Sequence, residues 1–353
     1  MKGRRKFLTK SALIGSSAFL SAATGCKKSS PINHKSEDTK PVIGHGAFQY
    51  SLDKQWIKGD PKKYPVHHCH EMVMDKKGRL IMTTTDVKNN IIIYNKDGDI
   101  LEAWTGNWPS CHGLTLKNEG GEEMLYITDP ESTFEVYKTT LTGDKLMTIK
   151  YPKEANIYES EDQFRPTETA IAENGDIYVA DGYGKSYIIV YDSNGKYKFH
   201  FGGKGDADDQ FDCPHGITID TRGGKNPELL ITSRSRNEFK RFTMDGKHLE
   251  TIKMPGYFMC RPVIKGDELY FAILATKTWW AYDGMVAVLD KNNKLRSLPG
   301  STILPNYENE IIGNPVYDGS FLNPHDVCID DDLNIYVPQW YSGKTYPYRL
   351  ESV

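Results

Sequence analysis

From about residue 66 onward, apolar residues fall in short runs rather than at the three-to-four spacing of an amphipathic helix, and polar or glycine-containing turns separate the runs. The runs Leu80 to Thr84, Met124 to Thr128, Asp176 to Ala180, Glu228 to Thr232, Glu268 to Ile273 and Asn334 to Pro338 each predict a strand. Partner strands are expected at Asn90 to Tyr94, Phe134 to Tyr137, Tyr187 to Tyr191, Glu238 to Phe242 and Met285 to Leu289. Turns at Asp97-Gly98, Thr142-Gly143, Asn194-Gly195, Asp245-Gly246 and Asn292-Asn293 supply the tight links of antiparallel hairpins. Six repeats of this unit predict an all-β, six-bladed propeller. The sixth stops early, at Tyr346-Pro347-Tyr348-Arg349-Leu350, so a strand within Ala47 to Ile57 is expected to complete it and close the ring.

The residues that open the units add chemistry. Cys111-His112-Gly113, Cys213-Pro214-His215-Gly216 and Asn323-Pro324-His325-Asp326 each place a histidine just before an apolar run. Counted along all six units, the opening position is His70, His112, Glu168, His215, Arg261 and His325, expected to ring one mouth of the channel. Three neutral imidazoles with an open fourth position make a catalytic-type zinc site. His70 reads equally as a fourth ligand, a substrate contact or a channel residue, and Glu168 and Arg261 read as substrate or channel residues.

The N-terminus changes the compartment. Arg4-Arg5-Lys6-Phe7-Leu8 resembles a twin-arginine export signal, and an apolar stretch from Ala12 to Ala23 leads to Ala23-Thr24-Gly25-Cys26, which resembles a lipobox with Cys26 as the lipidated residue. Residues 1–26 are therefore expected to be a lipoprotein signal, 27–42 a flexible tether, and 43–353 the propeller. The protein is expected in the bacterial cell envelope, on its periplasmic or surface side, held to the membrane only by lipid. The chain carries 44 basic and 47 acidic residues. Lys2, Arg4, Arg5, Lys6 and Lys10 belong to the signal, so the mature domain is mildly acidic and nucleic acid is not expected as a partner. Of the cysteines after Cys26, five in number, at least one must be a free thiol or pair between molecules; a Cys69 to Cys111 disulfide and small residues packed between crowded blades are the two readings.

Over roughly residues 66 to 345, the sequence resembles the NHL-type propellers and, within them, the peptidyl-α-hydroxyglycine α-amidating lyases. The best-matching tract runs from Phe164-Arg165-Pro166-Thr167-Glu168 through Asp181-Gly182-Tyr183 to Cys213-Pro214-His215. The resemblance implies that His112, His215 and His325 bind zinc, that Tyr183 is the catalytic base, and that Arg234 orients it or the substrate. It also implies a structural calcium held partly by Asp326, with the Leu114 carbonyl nearby. Positive charge from zinc and Arg234 is expected to depress the Tyr183 pKa, since an unperturbed phenol near 10 is a poor base. Three positions depart from the family: Thr85 lies near its first-blade arginine, Asn323 stands for a methionine before the last zinc histidine, and Gly184 for a disulfide cysteine.

The leading expectation is thus a monomeric, exported, zinc-dependent lyase that cleaves the C–N bond of a carbinolamide in a peptide or small molecule. One alternative is a non-catalytic NHL propeller that binds a peptide, glycan or envelope protein. Another is a metal-dependent lyase or hydrolase acting on a sugar acid or lactone.

Overall fold

Short apolar runs joined by tight turns pair with their sequence neighbours, and in the computed structural model they form six antiparallel sheets, five of four strands and one of five. The structure describes residues 40–353 apart from 225, 306–310 and 342. The export and lipidation pattern, Cys26 included, and most of the expected tether lie outside the described residues. Blade 1 is Cys69–Met74, Leu80–Thr84, Ile91–Tyr94 and Ile100–Trp104. Blade 2 is Leu114–Glu119, Glu122–Asp129, Glu135–Thr140 and Lys145–Ile149. Blade 3 is Glu168–Ile171, Ile177–Ala180, Tyr187–Tyr191 and Tyr197–Gly202. Blade 4 is Pro214–Asp220, Glu228–Ser233, Glu238–Thr243 and His248–Lys253. Blade 5 is Val263–Lys265, Glu268–Ile273, Met285–Leu289 and Leu295–Ser297.

Blade 6 takes its strands from both ends of the domain. Cys328–Ile329, Ile335–Val337 and Tyr348–Ser352 are continued by Phe48–Asp53, with Tyr50 opposite Ser352 and Asp53 opposite Arg349. The expected closure is therefore present. A fifth strand, Val42–His45, which the sequence reading did not anticipate, adds to Phe48–Asp53. Its run is only four residues long and Gly44 interrupts it; Gly44 sits at φ +105°, where an added Cβ would lie 2.3 Å from the Phe48 carbonyl oxygen.

The middle strands of the blades are buried along their whole length, as in Leu80–Thr84 and Met285–Leu289. Both faces pack on neighbouring sheets, so these strands read as unbroken apolar runs rather than as alternation. Core side chains gather between blades, for example Leu230 and Phe239 with Phe271 and Leu289. At the seam, Leu52 and Leu350 pack with Val337 and with Val286 of blade 5, and the Trp56 indole donates to the Pro347 carbonyl at 2.8 Å. Cys69, Cys111, Cys213, Cys260 and Cys328 are all free thiols, so the Cys69 to Cys111 disulfide does not form.

Leu350 is fully buried in the seam, whereas Leu101 on an outer strand is half exposed. Leu350→Ala should lower the unfolding free energy by about 2–5 kcal/mol. Leu101→Ala should stay within about 0.5 kcal/mol. Urea unfolding monitored by tryptophan fluorescence checks both, and equal effects would mean that the seam contributes no more than an outer strand does.

Candidate functional site

The ladder between the first and second strand of each blade sets where the opening side chains point. The His112 N–H donates to the Thr128 carbonyl at 2.9 Å and the His325 N–H to the Pro338 carbonyl at 3.0 Å. In blade 3 the same bond comes from Thr167, to Ala180 at 2.8 Å, and in blade 5 from Cys260, to Ala272 at 3.0 Å. Glu168 and Arg261 therefore stand one residue past the histidine position, and a one-residue step turns a strand side chain to the opposite side. The single ring expected from the sequence is corrected to two layers. His70, His112, His215, His325 and Cys260 form one; Glu71, Glu168, Arg261 and Asp326 form the next.

In the first layer the ring centroids of His112, His215 and His325 form a triangle with 4.9 Å sides. His70 joins it, 4.4 Å from His112 and 4.6 Å from His325. Two sets of ligating atoms come close enough to share an ion: those of His70, His112 and His325, and those of His215, Cys260 and His325. The Nδ1 atoms of His112 and His325 bond the Thr167 and His70 carbonyl oxygens at 2.9 and 3.0 Å, which leaves Nε2 free to turn inward. His215 Nδ1 has no such anchor. Burial holds all four imidazoles neutral, with His112 lowered to about 3 despite the opposing Thr167 bond. Burial pushes the Cys260 thiol up to about 12, so it remains protonated. The donors thus fit a divalent ion that accepts neutral nitrogen ligands.

Tyr183 enters this layer from the turn after Ile177–Ala180. Its hydroxyl lies 3.2 Å from His112 Nε2, 3.1 Å from His215 Nε2 and 3.3 Å from Arg234 Nη2. The turn is pinned by the Asp181 carboxylate, which accepts the Arg165 and Lys185 N–H groups and the Tyr158 hydroxyl. A Cβ on Gly184 would stand 2.0 Å from Asp181 Oδ1, so the family's cysteine has no room at this position. Burial raises the Tyr183 pKa to about 12 and outweighs the lowering by Arg234. Arg234 thus lowers it as expected but does not by itself offset burial, and from the protein's own groups alone Tyr183 is a neutral phenol.

Arg234 points inward from the short turn after Glu228–Ser233, also touching Cys213 Sγ at 3.6 Å. Arg236 points outward to Glu238 and Asp206, so the two arginines have separate tasks.

The histidine layer opens into a cavity of about 580 Å³. Its wall includes Trp279, Trp280, Trp340 and Tyr341, which the sequence reading passed over because they lie in loops outside the repeat. Trp280 and Tyr341 meet at 5.3 Å, and Trp340 lies 6.4 Å from His325. Asn323, at the methionine position of the family, donates to the Trp279 carbonyl at 3.0 Å and so helps hold that wall. Thr85 bonds His67 instead of supplying a guanidinium. A larger cavity, about 1050 Å³, is lined by later residues of the inner strands such as Ala170, Ile217 and Val263, and no histidine reaches it.

In the second layer, Arg261 donates through Nη1 to the Leu114 carbonyl at 2.7 Å and through Nη2 to Asp326 Oδ2 at 2.6 Å and the Met72 carbonyl at 3.1 Å. Its Nη1 lies 3.4 Å from Glu71 Oε2, and its Nε 3.8 Å from Glu168 Oε2. Glu168 is fully buried and Arg261 nearly so, and neither lines the histidine cavity. Leu114 and Asp326, expected around calcium, are engaged by this guanidinium.

A family model, DUF5128, described as a 6-bladed beta-propeller, matches residues 167–303. The human NHL repeat-containing protein 3 is 26% identical over 229 residues, covering 57% of this chain and 65% of its own length. The probable peptidyl-alpha-hydroxyglycine alpha-amidating lyase pgal-1 of Caenorhabditis elegans is 31% identical over 135 residues, 36% of this chain and 37% of its own. The chain therefore spans less than two-thirds of the length of these relatives. Among solved structures, a streptogramin B lyase aligns with TM-score 0.58 at 14% identity over 87% of this chain and 99% of its own. A gluconolactonase from Xanthomonas campestris aligns with TM-score 0.58 at 11% identity over 89% and 95%. The chain is a six-bladed propeller distantly related to NHL-repeat and lyase-fold propellers.

The unfolded chain binds protons on these four histidines below pH 6.5 where the folded chain does not, so this set favours unfolding as pH falls. Glu71 and Asp326, whose carboxyl pKa values burial raises, act in the opposite sense, so bulk stability mixes the two. In chelator-treated protein, the NMR resonances of His70, His112, His215 and His325 should stay at their neutral positions from pH 7 to about 5. Midpoints near 6.5 would mean that the rings are solvated.

Proposed function

We propose that this chain is a metal-dependent enzyme of the NHL propeller type, acting on a small molecule that carries a hydroxyl or a lactone. One observation carries the reading: a single phenol hydroxyl stands within hydrogen-bond distance of two inward-facing Nε2 atoms and a buried guanidinium. Packing alone would be met by phenylalanine. His112, His215 and His325, with His70 beside them, would hold the ion, and zinc suits neutral imidazoles. Such an ion would supply Lewis acidity toward a substrate oxygen.

Tyr183 is the proton-transfer group for an oxygen bound in the cavity, and Arg234 favours its phenolate or holds a substrate carboxylate. In the amidating-lyase reading, supported by sequence likeness to the nematode protein, Tyr183 takes the hydroxyl proton of an α-hydroxyglycine amide. The C–N bond then breaks, the departing nitrogen receives a proton, and the products are an amide and glyoxylate. The lactonase or sugar-acid reading is the better supported by likeness of fold. The tryptophan wall favours it too, since flat indole faces suit a sugar ring. There Tyr183 passes a proton from the attacking water to the ring oxygen as the ester opens. The Arg4-Arg5 and Cys26 pattern supports a lipid-anchored place in the cell envelope.

Purified protein should hold about one divalent ion per chain, lost in His325→Ala. It should either release glyoxylate from an N-acyl-α-hydroxyglycine or open gluconolactone. Tyr183→Phe should keep the ion and lose about 100-fold or more in kcat. A metal-free parent, or full activity in Tyr183→Phe on whichever substrate turns over, would overturn the proposal.

A further inference from the structure

We propose that Arg261 is a built-in cation, standing on the propeller axis in the place where a structural divalent ion would otherwise sit. The oxygens around its guanidinium are those of a hard-cation site: the Met72 and Leu114 carbonyls and the carboxylates of Glu71, Glu168 and Asp326. They come from blades 1, 2, 3 and 6, while the guanidinium comes from blade 5. Blade 4 contributes by leaving room: a Cβ on Gly216 would lie 2.6 Å from the Arg261 Cα. Four inner strands therefore meet at the positive charge that blade 5 carries, and blade 4 packs against its backbone.

A guanidinium fits this role because its fork of N–H donors can serve two carboxylates and two carbonyls together, whereas an ammonium is a point charge. Unlike a bound ion, it cannot dissociate. The replacement is incomplete, because Glu71 Oε1 and Glu168 Oε2 are buried without a hydrogen-bond partner. With the side chain removed, the cage would keep three carboxylates and two carbonyls facing one space, a donor set for calcium rather than for a metal that prefers nitrogen. The fold should therefore not depend on calcium, and Arg261→Ala should create that dependence.

Melting temperatures of the purified parent and of Arg261→Ala, with the histidine layer loaded with zinc, should be compared with and without millimolar calcium. The parent should not shift and should retain no calcium after dialysis. Arg261→Ala should melt lower by about 5 °C or more, and calcium should restore much of the loss. Calcium stabilisation of the parent would overturn the proposal, as would a folded Arg261→Ala protein that calcium does not stabilise. If Arg261→Ala does not fold, the parent's calcium content and melting response still decide. Arg261→Lys, which keeps a charge but loses the fork, should melt between the two and respond weakly to calcium.

Discussion

A guanidinium enclosed by three carboxylates is the constraint on which the centre of this propeller depends. Removing charged groups from water costs several kcal/mol each, and their attraction repays that cost only where geometry is good and the remaining hydrogen bonds are met. Arg261 meets these terms through short bonds to Asp326 and to two backbone carbonyls. Those carbonyls and carboxylates sit where the inner strands begin. Displacing one blade would strand a buried charge, so the blades are tied in register as well as packed.

The histidine layer inherits its geometry from this one. Glu71 follows His70 and Asp326 follows His325 in the chain, while Leu114 lies two residues after His112. Since neighbouring residues on a strand face opposite sides, fixing one carboxylate also aims the imidazole before it. The His325 ring is held twice, through its own Nδ1 bond to the His70 carbonyl and through the Asp326 contact with Arg261. Tyr183 and Arg234 approach from turns instead, and a pinned carboxylate and a tight glycine place Tyr183.

The blades were legible because buried middle strands repeat as apolar runs, and Tyr187–Tyr191, Glu268–Ile273 and Met285–Leu289 have the expected bounds. The histidines were legible as repeats too. What sequence alone mistook was the offset: Arg165-Pro166-Thr167-Glu168 and Cys260-Arg261-Pro262 carry a conspicuous charge one residue beyond the true position. Only the ladder bonds of Thr167 and Cys260 fix that offset, and they depend on a partner strand a dozen residues away. The aromatic wall had no such signal, because Trp279, Trp280, Trp340 and Tyr341 belong to loops that no repeat predicts.

The two layers also complement each other in charge. Burial, and after it the neighbouring Glu168, holds the Glu71 carboxyl well above the usual carboxylate range. The carboxyl groups of Glu71, Glu168 and Asp326 outnumber the one guanidinium they face, so the layer beneath the imidazoles is acidic in character. A divalent ion in the histidine layer would bring two positive charges with only neutral ligands to balance them, beside the Arg234 cation. The acidic layer below and a phenolate at Tyr183 would be the available counter-charges. An oxygen-rich layer with one fixed cation is therefore better matched to a divalent ion in the layer above than a fully neutral one would be, and under the proposed function the charge of a bound ion would favour the Tyr183 phenolate.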